Sequence, residues 1–327
     1  MPSKQQQIVE EIIKSLESGV ANASGWEAPW HGAVTPPRNI VSNVNFTGGN
    51  AMWLWFASQM YNYSSNDWAT MKQWNSVGAK LKKGSKAGLQ FAIRPIIKTD
   101  DETGDKYAGG FATYPVWNKD QIENVPPEYV DDPEVELEFQ ANQDIDDFIK
   151  SCEIETKHSD SRRAFYRIKD DYVHMPNKAW FKSTNGYYST IFHEYVHATG
   201  AEHRLDRAGI SQKFRNEDVY AKEELIAELG ASFLCAKFGI YSERQDDTVK
   251  YLKSWIKILK EKPSVLWNAC ADAQKAVDYL VERSWVKKEL STKHEQEFEN
   301  GTKIYSSNLL YEDYQHHTSN VNYRRAV

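Results

Sequence analysis

The chain has 327 residues, 40% hydrophobic and 26% charged, a globular composition in a chain longer than one small core needs, so about two domains are expected. Its net charge of −6 points by itself to neither nucleic acid nor membrane, but it hides a basic front, with ten Lys and Arg against five Asp and Glu over residues 1–99, and an acidic middle, with two Lys against twelve acids over 124–160. Three distant cysteines (Cys152, Cys235 and Cys270) exclude a disulfide framework, and the lack of an apolar signal core or of any run of about eighteen apolar residues excludes a secreted or membrane-spanning reading and points to the cytoplasm.

Residues 4–18 set Ile8, Val9, Ile12, Ile13 and Leu16 at helical spacing, with Ser3 as N-cap and Gly19 past the end, and predict an amphipathic helix. Turn-rich sequence leads to a Trp-dense run, AMWLWFASQMY, and to the basic segment KQWNSVGAKLKKGSKAG. Residues 89–98 and 106–117, rich in β-branched and aromatic side chains around an Asp, Thr and Gly turn, predict a hairpin. The composition then changes to PPEYVDDPEVELEF, whose prolines and clustered acids make a poor core. This predicts an acidic linker over residues 126–142 between a front domain, 1–125, and a second domain, 143–285. The second domain should open with a helix over 142–157 and a hairpin of AFYRI and YVHM turning at Asp170 and Asp171. Long helical patterns follow over 190–199, 219–238 with Gly239 as its stop, 246–261 and 264–284, the last two parted by Pro263. Residues 286–327 are polar, show no period, and read as a C-terminal extension.

The first of those helices contains HEYVH, His193 to His197. Residues four apart share a helix face, so the two imidazoles can meet one ion while Glu194 projects beside them. A Zn²⁺ held by two His and a third protein ligand keeps a position open for water, and a neighbouring carboxylate can take that water's proton for attack on a peptide carbonyl. The third ligand has two candidates. HEYVHATGAEH fits HExxHxxGxxH with His203, but that class needs a methionine turn downstream, and Met1, Met52, Met60, Met71 and Met175 all lie upstream. The helix YAKEELIAELGASFLCAKFG instead offers Glu224 as ligand and Glu228, one turn on, as partner for a histidine N–H, with Glu223 taking the ligand's place if the helix is rotated by one residue. Tyr172 to Met175 could form the edge strand that takes up substrate. Tyr187 and Tyr188 are candidates for an oxyanion donor.

In the front, Lys72, Lys80, Lys82, Lys83 and Lys86 fall within one fifteen-residue stretch beside Trp68 and Trp74, with Gly78, Gly84 and Gly88 among and just after them. Single-strand binding needs this mixture, since cations follow phosphates and aromatic faces stack on bases. The alternative is a solvated lysine-rich loop beside core tryptophans.

The chain resembles the ArdC-type antirestriction proteins over roughly residues 24–282. The resemblance is carried by YSTIFHEYVHATG with the following RLDR, by YAKEELIAELGASFLCAKFGI, and by WATMKQW with VGAKLKKGSKAG. FTGGN at Phe46 to Asn50 is similar to the family's aromatic-Arg-Gly-x-Asn motif, and YPVWNKDQIENV to its VFN-x-x-Q segment. It implies an α+β protein with a mixed single-stranded-DNA-binding domain followed by a zincin-like metallopeptidase domain. It implies one Zn²⁺ per chain, or another divalent metal in its place, on His193, His197 and Glu224, a catalytic Glu194, and DNA contacts from Asn50 and the basic segment. The expected partners are single-stranded DNA and a DNA-bound protein substrate, with no membrane, and the expected role is protection of incoming plasmid or phage DNA. A DNA-coating module with a structural metal and a protease for DNA–protein crosslinks are the competing readings. The chain departs from the family pattern at Thr47, where Arg is usual, at Ser85, where Glu is common, and at Ala198 and Ala201, where Trp and His often stand.

Overall fold

The periodic apolar residues of the N-terminal segment form helix α1 (Lys4–Ala21), which buries Ile8, Val9, Ile12 and Leu16. Ser3 and Gln6 cap it reciprocally, each backbone N–H donating to the other's side chain. The computed structural model describes residues 3–21, 35–86, 88–99, 104–129, 138–161, 163–181, 183–211, 217–241 and 248–284. Strands β1 (Arg38–Asn39) and β2 (Val44–Asn45) precede helix α2 (Gly48–Met60), the Trp-dense run. This helix is buried from Ala51 to Ser58, as expected of a helix apolar all round.

Strand β3 (Asp67–Ala69), helix α3 (Met71–Ser76) and strand β4 (Lys80–Leu81) carry the basic segment. The expected hairpin forms as β5 (Phe91–Thr99) and β6 (Lys106–Pro115), with a register shift between Pro95 and Ile97, and is followed by β7 (Trp117–Asn118) and β8 (Ile122–Glu123). One small sheet runs β2-β1-β3-β7, and β4 pairs with β8.

Helix α4 (Glu138–Ser151) ends sooner than the helix expected over 142–157, and its last residues lie instead in strand β9 (Glu155–Ser159). The break follows Cys152, where Glu153 takes a positive φ of 56° and turns the chain out of the helix. The second hairpin forms as β10 (Phe165–Arg167) and β11 (Tyr172–Pro176), with Asp171 at φ 49° in its turn. Sheet order is β10-β11-β9, so Tyr172–Pro176 is central and β10 holds an edge. The remaining elements are helical: α5 (Thr184–Thr199), α6 (Ala208–Ser211), α7 (Glu217–Lys237), α8 (Thr248–Glu261) and α9 (Ser264–Arg283).

The two halves share one hydrophobic core rather than sitting apart. Helix α1 packs on α8, and α2 on α9. The approach of α2 to α9 needs glycine, because a Cβ on Gly49 would lie 2.6 Å from the Trp267 ring, and the Gly48 N–H donates to Gln274 Oε1. Residues 130–137 of the expected linker lie outside the described residues, as does the expected extension from 286 onward. Among the described residues no helix is long and apolar enough to cross a membrane.

Candidate metal centre

Helix α5 starts where Ser183 accepts the Gly186 N–H on its hydroxyl, and from Tyr187 to Thr199 it is buried. Helix α7 lies against it, as close as Gly230 permits, since a Cβ there would stand 2.7 Å from Val196 Cγ2. That closeness brings His193 and His197 on α5 to Glu224 on α7. The two Nε2 atoms are 3.1 Å apart, His193 Nε2 is 3.5 Å from Glu224 Oε2, and His197 Nε2 is 3.7 Å from Glu224 Oε1. Ligands about 2.0–2.2 Å from a tetrahedral ion stand roughly 3.3 Å from one another, so the three atoms already mark one face of such a shell.

A second layer fixes the donor set. His197 Nδ1 lies 3.3 Å from Glu223 Oε1; a carboxylate can only accept, so Nδ1 carries the donated proton and Nε2 is the nitrogen left to face an ion. Glu223 is held by Arg207, whose Nη2 donates at 2.6 Å and Nε at 3.1 Å, while the same guanidinium donates to Val196 O and Thr199 Oγ1. Burial pulls the His197 ring down, but the charge of Glu224 and hydrogen bonds to Glu223 and Glu224 reverse this and carry it up to about 10. Burial would likewise raise Glu224, yet His197 and His193 hold its carboxyl well below the usual carboxylate range. The cluster stabilises added positive charge, and its N, N and O donors suit a divalent ion.

Glu194 is buried beside the cluster, and burial pushes its carboxyl up, partly opposed by the nearby histidines and by the Tyr166 N–H of β10 donating to it. A shift in that direction is the one that general-base chemistry calls for.

Residues 3–124 match the family model for the N-terminal domain of anti-restriction factor ArdC, and residues 143–272 match the model for a zincin-like metallopeptidase. A protein of Sinorhizobium fredii is 32% identical over 290 residues, covering 84% of this chain and 90% of its own length. The chain belongs to the ArdC antirestriction family. Two crystal structures of a plasmid ArdC antirestriction protein, one metal-free and one with Mn(II), superpose with TM-scores of 0.69 at 31% identity, over 85% of this chain and 97% of theirs. The DNA primase TraC of Escherichia coli is 31% identical over 299 residues, which is 84% of this chain but 27% of the primase. An ArdC fold that holds Mn(II) accords with a divalent-metal site on His193, His197 and Glu224 here.

Several expected residues stand elsewhere than the sequence suggests. Glu228 is buried but is not the histidine's partner: His197 Nδ1 goes to Glu223, and His193 Nδ1 is buried without a partner among the described residues. His203 points away to Asp171 Oδ2 at 3.1 Å with its side chain 59% exposed, so it does not join the cluster. Tyr187 and Tyr188 are buried and bonded to His158 and Asp146, not to the site. The strand that abuts Glu194 is β10, not Tyr172–Met175.

In the ArdC front half, Lys72, Lys80, Lys82, Lys83 and Lys86 are all exposed, and Lys82 Nζ reaches Asp120 O at 2.8 Å. Trp68 and Trp74 are each 0% exposed, so neither ring offers a face on which a base can stack. Their place is structural: Trp74 Nε1 donates to Trp117 O, and Trp68 packs edge-on to Tyr63. Asn50 is also engaged structurally, its amide pairing with both backbone groups of Ile93 at 2.8 Å and tying α2 to β5. Arg207 and Glu223 had a signal in the sequence, the RLDR run and the acidic pair beside the ligand, but a clamp that closes across two elements is not written in spacing.

Proposed function

We propose that this ArdC-family chain protects incoming plasmid or phage DNA, binding it as a single strand along the lysines of its front half and carrying a Zn²⁺ peptidase site in its second half. The convergence of His193, His197 and Glu224 from two helices, with a buried Glu194 beside them, is the observation that carries the reading. An ion bound there supplies Lewis acidity toward a water and a peptide carbonyl. Glu194 takes the proton of the attacking water and returns it to the leaving amide nitrogen. The free edge of β10, with Tyr166 against Glu194, is suited to hold an extended peptide by backbone pairing.

A purely structural metal is the second reading, and the donor count weighs against it. Structural zinc sites are closed by four protein ligands, whereas the group here has three among the described residues, and Glu194 stands by without belonging to it. The substitution Glu194→Gln separates the readings. It is expected to keep metal content and DNA affinity while abolishing cleavage of a DNA-bound protein. If protection from restriction is unchanged by it, proteolysis is not the route to protection; if cleavage is unchanged, Glu194 is not the base.

A further inference from the structure

Lysines hold a single strand by its phosphates, but its unpaired bases need ring faces to stack on, and the buried Trp68 and Trp74 offer none. The β5–β6 hairpin does. Four of the ten large apolar residues that stand exposed among the described residues lie on it: Ile96, Ile97, Tyr107 and Phe111. At its base Phe91 and Ala92 are buried, whereas Ile96 to Thr99 on β5 and Lys106 to Gly109 on β6 are all exposed. A two-stranded ribbon bare on both faces gains little from its own packing, and apolar side chains gathered there mark an interaction site.

The register sorts these side chains between the two faces. Lys98 stands directly opposite Tyr107, Arg94 opposite Ala112, and Tyr114 opposite Ala92, so Arg94, Lys98, Tyr107 and Tyr114 share one face, while Pro95, Ile97 and Phe111 occupy the other. Gly109 lets Lys98 lie across the ribbon, since a Cβ there would collide with Lys98 Cδ. At the base, burial raises the Tyr114 phenol and the charge of Arg94 beside it opposes the rise. Each tyrosine thus has a cation next to it, and the two cations are about 13 Å apart along β5. Neither is in an ion pair among the described residues. The strands themselves contain no acid; Asp100, Asp101, Glu102 and Asp105 all fall between them in sequence. Cations interleaved with tyrosines suit a polyanion that carries flat apolar units, whereas an apolar protein surface would prefer the face of Pro95, Ile97 and Phe111.

We propose that the cationic face of the β5–β6 ribbon is a base-stacking site for single-stranded DNA, where Tyr107 takes a base on its ring while Arg94 and Lys98 hold phosphates. The inference rests on the strand-binding reading of the front half and adds the ring contact that the segment from Lys80 to Lys86 lacks.

The test titrates the full chain into a fluorescein-labelled oligothymidylate, read by anisotropy, and into an abasic strand of equal length, which keeps the phosphates and lacks the bases. Tyr107→Ala and Tyr107→Leu are expected to weaken oligothymidylate binding about tenfold and to leave the abasic strand unaffected, while Tyr107→Phe, which keeps the ring, stays near wild type. Arg94→Gln and Lys98→Gln should weaken both strands and each take about 0.7 off the slope of log affinity against log salt. Because these side chains are exposed, melting temperature and metal content should not move. Equal oligothymidylate affinity in wild type and Tyr107→Leu, or an equal loss on the abasic strand, overturns the stacking site. So does a loss confined to Phe111→Ala, which puts the partner on the opposite face, or a sedimentation change from dimer to monomer in Tyr107→Ala, which makes the ribbon a contact between copies of this chain. If the wild type binds no single strand, or binds duplex as tightly, the strand-binding reading fails and the site with it; if the wild type binds and the ribbon variants match it, the site alone fails.

Discussion

Glu223 and Glu224 are consecutive residues on one helix, yet one orients a histidine and the other faces the ion's place. What separates them is Arg207, whose Nη2 donates to Glu223 Oε1 and whose Nε donates to Oε2, so that the carboxylate is anchored with Oε1 shared between the guanidinium and His197 Nδ1. Replacing Glu223 by Gln should lower metal affinity by roughly 10–100-fold, the usual effect of losing a charged partner behind a ligating histidine; a competition titration with a chromophoric chelator measures it, and unchanged affinity would show that the contact is packing only. Arg207→Ala should act on the fold as well, because it strands a buried carboxylate and the Val196 carbonyl, at about 3–5 kcal/mol. Denaturant melts read that loss, and Arg207→Lys, which keeps charge but not the fork, should restore only part of it. The paired histidines were readable in the sequence because their geometry is local: four residues on one helix set the distance. Glu228 was a reasonable partner by the same spacing. Which carboxylate a ring nitrogen meets, however, depends on how α5 is rotated against α7, and one sequence holds no record of that rotation.

Elements met their expected places where burial and period agree, as in α1, the β5–β6 hairpin and α7 with its stop at Gly239, which takes φ 67°. They missed where a short polar strand follows a helix, since ETKHS in β9 has no alternation to set it apart from helical sequence. Two contacts between elements make predictions. Gly230→Leu would drive a side chain into Val196 and part α5 from α7, costing about 1–3 kcal/mol of overpacking strain and, because the ligands come from both helices, metal affinity with it. A stable variant with wild-type metal affinity would mean the two helices can separate without moving their ligands. The β10–β11 turn is tied to the loop after α5 by Asp171, which accepts from Tyr166, from both Arg204 terminal nitrogens and, at 3.1 Å, from His203. Burial alone would raise this carboxyl, but Arg204 and Tyr166, then His203, hold it below the usual range. A depressed carboxylate contributes stability above its unfolded value of about 3.9, and the contribution vanishes as pH falls through the lower folded value. Asp171→Asn should therefore melt below wild type at pH 7, with the gap closing under about pH 3.9; a gap that persists in acid would assign the effect to shape instead of charge.

At the scale of the whole molecule, described residues of both halves contribute to one large core, and a second, smaller cluster around Ile40, Trp74 and Ile122 lies within the front half. Composition sees the poor core of residues 130–137 but not the apolar faces that α1 and α2 turn toward α8 and α9. The front half should accordingly not unfold as an independent unit, and calorimetry of the full chain should give one transition. The same packing explains why the tryptophans were misread: Trp68 and Trp74 are dense in the sequence next to lysines, but their rings are consumed by the interior and only the lysines reach solvent. If the proposed strand binding uses this face, phosphate contacts must carry it with little help from stacking. Replacing Lys80, Lys82, Lys83 and Lys86 by Gln should reduce the slope of log affinity against log salt by about 0.7 for each lysine that contacts a phosphate, while leaving melting temperature and metal content alone. Trp68→Phe should do the reverse, lowering melting temperature through the void it leaves and sparing the salt slope. Fluorescence anisotropy of a labelled oligonucleotide across a salt series distinguishes the two. If the quadruple lysine variant keeps its slope, the strand runs over some other face of the molecule.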